Sequence, residues 1–483
     1  MKKIVIFMCC LWIGPIIYGQ QNMGIDNSNY AGIQSVFLNP SSFVDSKLKW
    51  DIHVFSTGTL FDNDFLYIPK GSVPAFGFKK IFKGIINTDL FYSYFNSNTP
   101  NKLYQVTLST DIMGPSFQME IAKKHEIGFT IAARSYTDIK NIPGNVAQSA
   151  FAYLLEKDLW NTTFHDNSSN LNSMTWLDYA IHYGTVLYRR GKDEIKGGVS
   201  LKYLQGIAAA YIKNTNLTYN IVDTSKLIFT NSSIDYGRTD YDSYRKISNY
   251  HDLNHGVGFG GDIGFTYLHL KDPSENGDSR IGFKISDPDH NNYLYRIGVS
   301  ILDIGSILFD RNSASYHLQT NSANYSNWRS THIQSNNQLD QALSSVFYQG
   351  DSSQSLVSNR FYMALPTALS VQADWNVYGD FFANATIVKS IGHGPRQGAV
   401  RPDIYSITPR YENEHFEFSL PFSVLYYNRW QPRIGLAVRI YYFYFGGDAP
   451  GSLLGLNNFQ RTDFYAGIHY FIPWKKMKQK PVS

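Results

Sequence analysis

Residues 431–445, QPRIGLAVRIYYFYF, constrain the fold more than any other stretch of this chain. Ile434, Leu436, Val438, Ile440, Tyr442 and Tyr444 fall on one face of an extended backbone. Arg433, Gly435, Ala437, Arg439 and Tyr441 fall on the other. Side chains alternate along a strand, so this one presents a greasy face and a face that is small or charged. A sheet dry on both sides would leave each arginine needing a buried partner. A sheet wet on both sides would leave the aliphatic row exposed.

The pattern recurs. Ile127, Phe129 and Ile131 alternate with Gly128, Thr130 and Ala132; Leu177, Tyr179 and Ile181 with Asp178, Ala180 and His182. Phe259, Ile263, Phe265 and Tyr267 are set against Gly258, Gly260, Asp262, Gly264 and Thr266. Tyr295, Ile297, Val299 and Ile301 face away from Arg296, Gly298 and Ser300, and Phe416 and Phe418 from His415 and Glu417. Near the C-terminus Phe464, Ala466, Ile468, Tyr470 and Ile472 oppose Asp463, Tyr465, Gly467 and His469. Weaker candidates lie at 50–59, 102–111, 115–123, 194–204, 368–378, 380–389 and 403–411. Aromatic residues make up 16% of the chain, with 35 Tyr and 32 Phe, and Tyr suits a boundary that is apolar at one end and wet at the other. These features predict an all-β fold: a single closed antiparallel transmembrane β-barrel of about 14 strands, lipid on one face and lumen on the other. Mean hydropathy is −0.27, which excludes a helical membrane bundle but not a barrel, where every second strand residue meets lipid.

Tight turns are expected at Arg190–Asp193, Tyr378–Asp380 and Asn428–Pro432, and long connections near 60–100, 137–176, 205–255 and 304–366. These lengths do not sort cleanly between the two ends of a barrel, so which loops face outward stays open at this level.

Lys2 and Lys3 followed by the apolar run Ile4–Trp12 read as a secretory signal over residues 1–20. Both cysteines, Cys9 and Cys10, fall inside it, leaving the mature chain without disulfides or thiolate metal sites. Without Lys2 and Lys3 the 43 basic residues fall to 41, against 39 acidic ones. That balance, with no basic run before the tail at 475–483, gives nucleic-acid binding no support. The organisation predicted is a signal (1–20), an N-terminal segment (21–48), the barrel (49–474) and the tail (475–483).

The reactive residue types do not assemble into a catalytic or metal-binding pattern. His251-Asp252-Leu253-Asn254-His255 has helical ligand spacing but lacks the glutamate of a zinc protease helix and sits in a polar stretch. The segments 272–276 and 287–290 offer oxygen ligands without EF-hand spacing. Ser419 and His415 share a strand face but stand roughly 13 Å apart by the strand rise; His469 or His182 would have to reach a serine from another strand. No metal, no cofactor and no enzymatic activity are expected.

Residues 28–45, SNYAGIQSVFLNPSSFVD, resemble the N-terminal segment of FadL-like outer-membrane transporters and of the related PorV-type barrels of the type IX secretion system. In those families a stretch ending near Asn-Pro-Ala forms a hatch in the barrel mouth; here it reads Asn39-Pro40-Ser41. The resemblance implies that Asn29, Tyr30, Asn39 and Pro40 belong to a hatch. GVSILDIGSI at 298–307, LPTALSVQADW at 365–375, SITPRYE at 406–412 and QPRIGLAVRI at 431–440 are more similar to an uncharacterised family of Bacteroidota outer-membrane barrels. That likeness implies a barrel in the cell outer membrane and no established activity.

Two functions fit. The first is passive passage of small apolar or amphipathic solutes, with Tyr441, Tyr465 and Phe55 as lumen-side aromatics lining a ligand pocket. The second is a non-enzymatic scaffold or shuttle that binds another envelope or secretion-system protein. Passage calls for an apolar pocket behind the hatch; scaffolding calls for a lumen packed with paired charges and an apolar patch on the loops. The expected partners are outer-membrane lipid and an apolar small molecule, or an envelope protein on the second reading. If the lumen has room, Val438→Arg should impair assembly far more than Ala437→Arg, as read by heat-modifiable gel mobility, because only Val438 meets lipid.

Overall fold

The computed structural model describes residues 22–473, apart from 45, 72–90, 123, 152–156, 241–252, 272–292, 327–334, 393–395, 428 and 453. The expected signal and tail lie outside the described residues, as do His251, Asp252 and the segments 272–276 and 287–290.

The chain closes into an antiparallel barrel of fourteen strands. β1 is Leu48–Asn63; β2 runs through Leu103–Met113 and Ser116–Ala122; β3 is His125–Pro143; β4 joins Thr163–Asp166 to Asn170–Arg190. β5 is Asp193–Ile221, β6 is Lys226–Thr239 then Gly256–Leu270, and β7 is Tyr293–Phe309 then Ser313–Ser326. β8 collects Leu356–Ser358, Phe361–Ala364 and Ala368–Tyr378; β9 is Phe381–Ser390; β10 is Asp403–Glu412. β11 is Phe416–Ser419 and Phe422–Tyr426, β12 is Trp430–Ile434 and Leu436–Ile440, β13 is Phe443–Gly447, and β14 is Arg461–Pro473. β14 pairs back onto β1, with Ile52 opposite Tyr470 and Leu60 opposite Asp463. Among the described residues every strand is paired on both sides where the barrel closes, as a span through lipid requires.

The two faces separate as alternation predicts. Leu201, Phe259 and Ile434 are 73%, 71% and 67% exposed on the outside, while Arg439 and Ala437 are fully buried inside. Two segments depart from the sequence reading. The stretch 431–445 is two strands, not one. Tyr441 takes φ 52° in a turn between β12 and β13, so Phe443 and Phe445 point outward and Tyr444 inward. A bulky residue in left-handed backbone carries no turn signal, so the alternation reads straight through it. In β1 a register shift between His53 and Phe55 reverses the phase, turning Phe55 outward at 41% exposure.

The connections read at 205–255 and 304–366 are largely wall. β5 has 29 residues and spans roughly 95 Å at about 3.3 Å per residue. Even tilted by about 40° it rises well past the ~25 Å apolar band. β6 and β7 extend beside it, their first and last segments paired from Lys226–Ser326 to Thr239–Ser313. This extension settles the ends. At the end holding Leu48 and Pro473, β2–β3, β4–β5, β8–β9, β10–β11 and β12–β13 are each joined by two or three residues, and 271–292 is the longer exception. The far end carries the long connections 64–102, 144–162 with helix α1 (Gly144–Phe151), 327–355 with helix α2 (Asn336–Phe347), 391–402 and 448–460, beside two short ones, 222–225 and 427–429. Short turns on the side of the termini are the periplasmic arrangement of outer-membrane barrels.

Ala437 packs against Gly24 so closely that a Cβ on Gly24 would stand 2.4 Å from that of Ala437. The lumen has no room there, which changes the paired-substitution expectation. Val438→Arg should cost roughly 2–4 kcal/mol of membrane stability and abolish the heat-modifiable gel shift. Ala437→Arg should leave that shift intact but expose residues 22–44 to protease.

Candidate functional site

The site is the filled lumen. Residues 22–44 lie inside the barrel as turns around one 3-10 helix, Gly32–Phe37, and no wall ladder runs through Asn39 or Pro40. A proline without an N–H suits a segment held by side chains rather than by pairing.

The wall makes a seat for this hatch from glycines. A Cβ on Gly198 of β5 would lie 1.9 Å from the Pro40 carbonyl oxygen, one on Gly184 of β4 2.1 Å from Val44, and one on Gly264 of β6 2.2 Å from Asn39 Oδ1. Gly184, Gly198 and Gly264 stand directly opposite one another across their strands. Gly128 on β3 makes the same room for Ile33, and Gly298 on β7 for Asn39.

Polar contacts hold the hatch in place. Asn39 Nδ2 donates to the Phe265 carbonyl at 3.2 Å and to Gln372 Oε1 at 3.1 Å. Its Oδ1 accepts from the Ser41 N–H at 2.9 Å, and Ser41 Oγ meets Thr266 Oγ1 at 2.7 Å. Ser300 Oγ donates to the Leu38 carbonyl at 2.7 Å and the Ile33 N–H to Asp51 at 2.8 Å. Nearer the termini, the Asn29 N–H donates to Glu412 at 3.1 Å, Tyr293 Oη to Asn29 Oδ1 at 3.1 Å, and Ser28 Oγ to Glu417 at 2.7 Å. Tyr30 lies under the Arg439 guanidinium, 4.8 Å from ring centre to charge.

Above the hatch sits an ion-pair node. Asp303 takes Arg134 in two parallel hydrogen bonds at 2.7 and 3.0 Å, Lys202 at 2.7 Å, and Arg401. Lys202 also meets Asp262 at 2.8 Å, and Arg134 meets Asp111 at 3.0 Å. All but Asp111 are buried. Asp303 has φ 54° and Gly305 φ 147°, so a local bulge aims the carboxylate inward. Sequence reasoning passed over Asp303. The available signal was a charge interrupting an apolar strand two residues before a glycine, within ILDIG. Further toward the far end, Trp176, Phe309, Phe361, Met363, Leu365 and Ala399 pack together as an apolar layer across the interior.

Voids lie beside the hatch. One is bounded by Asp26, Gln34 and Phe37 of the hatch and Met113, Arg134 and Arg401 of the wall. Another, nearer the termini, is lined by hydroxyls with Lys196 and Arg296. Neither is the wholly apolar pocket that passage called for. Of the three aromatics named for it, Tyr465 is buried in the lumen with Ile25 and Tyr444. Tyr441 lies in an exposed turn and Phe55 on the outer face, for the reasons given above. His182 does reach a serine, Ser200 at 2.8 Å, but its other nitrogen meets Thr130 at 2.9 Å, so no carboxylate orients it. Among the described residues no three His, Cys, Asp or Glu side chains are grouped to hold a metal ion.

The model of the family of unknown function DUF5723 matches residues 71–448. The chain belongs to this family. No curated protein matches it. Among solved structures it is similar to a deletion mutant of the monoaromatic hydrocarbon channel TodX, at 8% identity and TM-score 0.44, over 92% of this chain and 95% of that one. The Ralstonia pickettii toluene transporter TbuX gives 10% identity and TM-score 0.38 over 92% and 94%. A Pseudomonas aeruginosa FadL homologue gives 7% and 0.27 over 95% and 99%.

Substituting the seat should separate hatch from wall. Gly198→Val should unseat residues 22–44 by overpacking, at about 1–3 kcal/mol, with faster protease removal of the segment and an unchanged heat-modifiable shift. Asp303→Asn leaves three buried cations around a neutral amide and should cost about 3–5 kcal/mol, read as a lower urea midpoint for the whole barrel.

Proposed function

We propose that this DUF5723 chain is an outer-membrane barrel that passes small amphipathic solutes when its N-terminal hatch shifts, the seated hatch being the closed state. The observation that carries this reading is the manner of attachment. The hatch joins no β-ladder of the wall and is held by side-chain hydrogen bonds and glycine-made contacts around a void. Such contacts are individually worth about 0.5–1.5 kcal/mol, or about 1.5–3 kcal/mol where a carboxylate takes part, and none is a ladder bond, so the segment can move without opening the wall. The void's lining pairs Phe37, Ile112 and Met113 with Arg134 and Arg401, which suits a solute with an apolar body and a polar end.

A second reading, a closed scaffold barrel that binds another envelope protein, is favoured by one observation: the lumen above the hatch is packed with paired charges. The two readings part in a liposome swelling assay comparing the full barrel with a deletion of residues 25–45. Passage predicts slow entry through the full barrel and a several-fold faster leak through the deletion. If neither admits solute while the protein co-purifies with an envelope component, the scaffold reading stands.

A further inference from the structure

Among the described residues, Asp26 is the hatch carboxylate that points into the void beside the ion-pair node. It is 3% exposed. Its oxygens accept from the Asn22 N–H at 2.8 Å and from Gln34 Nε2 at 2.6 Å, both neutral donors on the hatch itself. Gln34 Oε1 in turn accepts the Tyr444 hydroxyl from β13. The charged and titratable groups around it come from every neighbouring element. Asp111 stands on β2, Arg134 and Tyr136 on β3, and Arg401 in the β9–β10 connection. Asp51 on β1 acts with Asp26 on Tyr444, and Asp26 acts on Asp448 after β13 and on Tyr465 of β14. Arg134 and Arg401 share this void, yet both are engaged with Asp303. Among the described residues Asp26 forms no ion pair, while Asp111 and Asp448 add acid to its surroundings.

We infer that protonation of Asp26 seats the hatch and its ionisation releases it, which makes the proposed passage pH-gated. The inference deepens the passage reading and depends on it only for the consequence in flux. A carboxylate buried without a counter-ion is costly, and the cost vanishes when the group is neutral or wet. Burial pushes the Asp26 carboxyl up to about 7 in the seated state, against the hydrogen bonds from Asn22 and Gln34. Released into water, it returns to the ordinary range near ~3.9. The sign follows from linkage: a group whose value is raised in the seated state stabilises that state fully below about 4, and the stabilisation is lost as pH climbs to about 7. Release therefore grows through that window and levels off above it. The node at Asp303 keeps the wall intact meanwhile, since Asp26 takes no part in it.

The test uses the full-length barrel with Cys9 and Cys10 replaced by alanine and Val44→Cys as reporter. Val44 is fully buried against the Gly184 seat. Maleimide labelling is followed in liposomes from pH 5 to pH 8, with and without Asp26→Asn, and the ratio of the two rates cancels the thiol's own ionisation. The ratio should rise more than tenfold between pH 5 and pH 7 and flatten above pH 7. If Asp26→Asn fails to give the heat-modifiable shift, Asp26→Ser replaces it. A ratio that does not change with pH overturns the inference. Solute swelling is read in the same vesicles. A rising ratio without flux keeps the proton switch and removes the passage reading; flux with a flat ratio does the reverse.

Discussion

A closed barrel in lipid hides every wall N–H and C=O in its own ladder, and the rest of this structure answers to that constraint. Fourteen strands make a wider cylinder than the smallest barrels, in which inward side chains alone fill the whole interior. The interior must then be water, ligand or protein. Here it is protein: the chain's own N-terminal segment in the half nearer the termini, paired charges in the middle, and an apolar layer at the far end. The glycines at 128, 184, 198, 264 and 298 are the wall's concession to that filling. Each removes a side chain where the hatch backbone or its short side chains must come within contact distance.

The charges in the middle do a different job from the hatch contacts. A buried ion pair adds little net stability over a well-packed apolar one, but breaking it strands the partner. Asp303 serves three cations drawn from β3, β5 and the β9–β10 connection, so it ties distant parts of the wall through one carboxylate. Its left-handed backbone is a local strain that the surrounding ladder holds in place. The hatch contacts are weaker, more numerous and local. A rigid wall with a separately held plug is the mechanical basis of the gate proposed above.

Much of this is legible in the sequence. Period-two alternation marks lipid and lumen faces along nearly every strand, and it placed Ile434, Arg439, Ile297 and His469 on the faces they occupy. The motif around Asn39 and Pro40 marks a segment unsuited to a ladder, because proline cannot donate to one. Alternation fails where backbone geometry inserts an extra residue or a turn without announcing it. Phe55 and Tyr441 were assigned inward because nothing in the residue types around them signals a bulge after His53 or a reversal at Tyr441–Tyr442. Strand lengths past the membrane escaped for a related reason: beyond lipid both faces of β5, β6 and β7 meet water or other protein, so the greasy row ends while the ladder continues.

The order of polar and apolar side chains along the chain is local information, and it decides that this protein is a barrel and which residues look into it. Which of those residues meet is decided across the barrel, by strands whose lumen faces converge from far apart in sequence. Arg134, Lys202, Arg401 and Asp303 become one node only when the cylinder closes, and Asp26 becomes a carboxylate without a counter-ion only when the hatch is folded in beside them. Alternation along one strand cannot encode a distance across the lumen, because that distance is set by strand number, tilt and the side chains of every other strand.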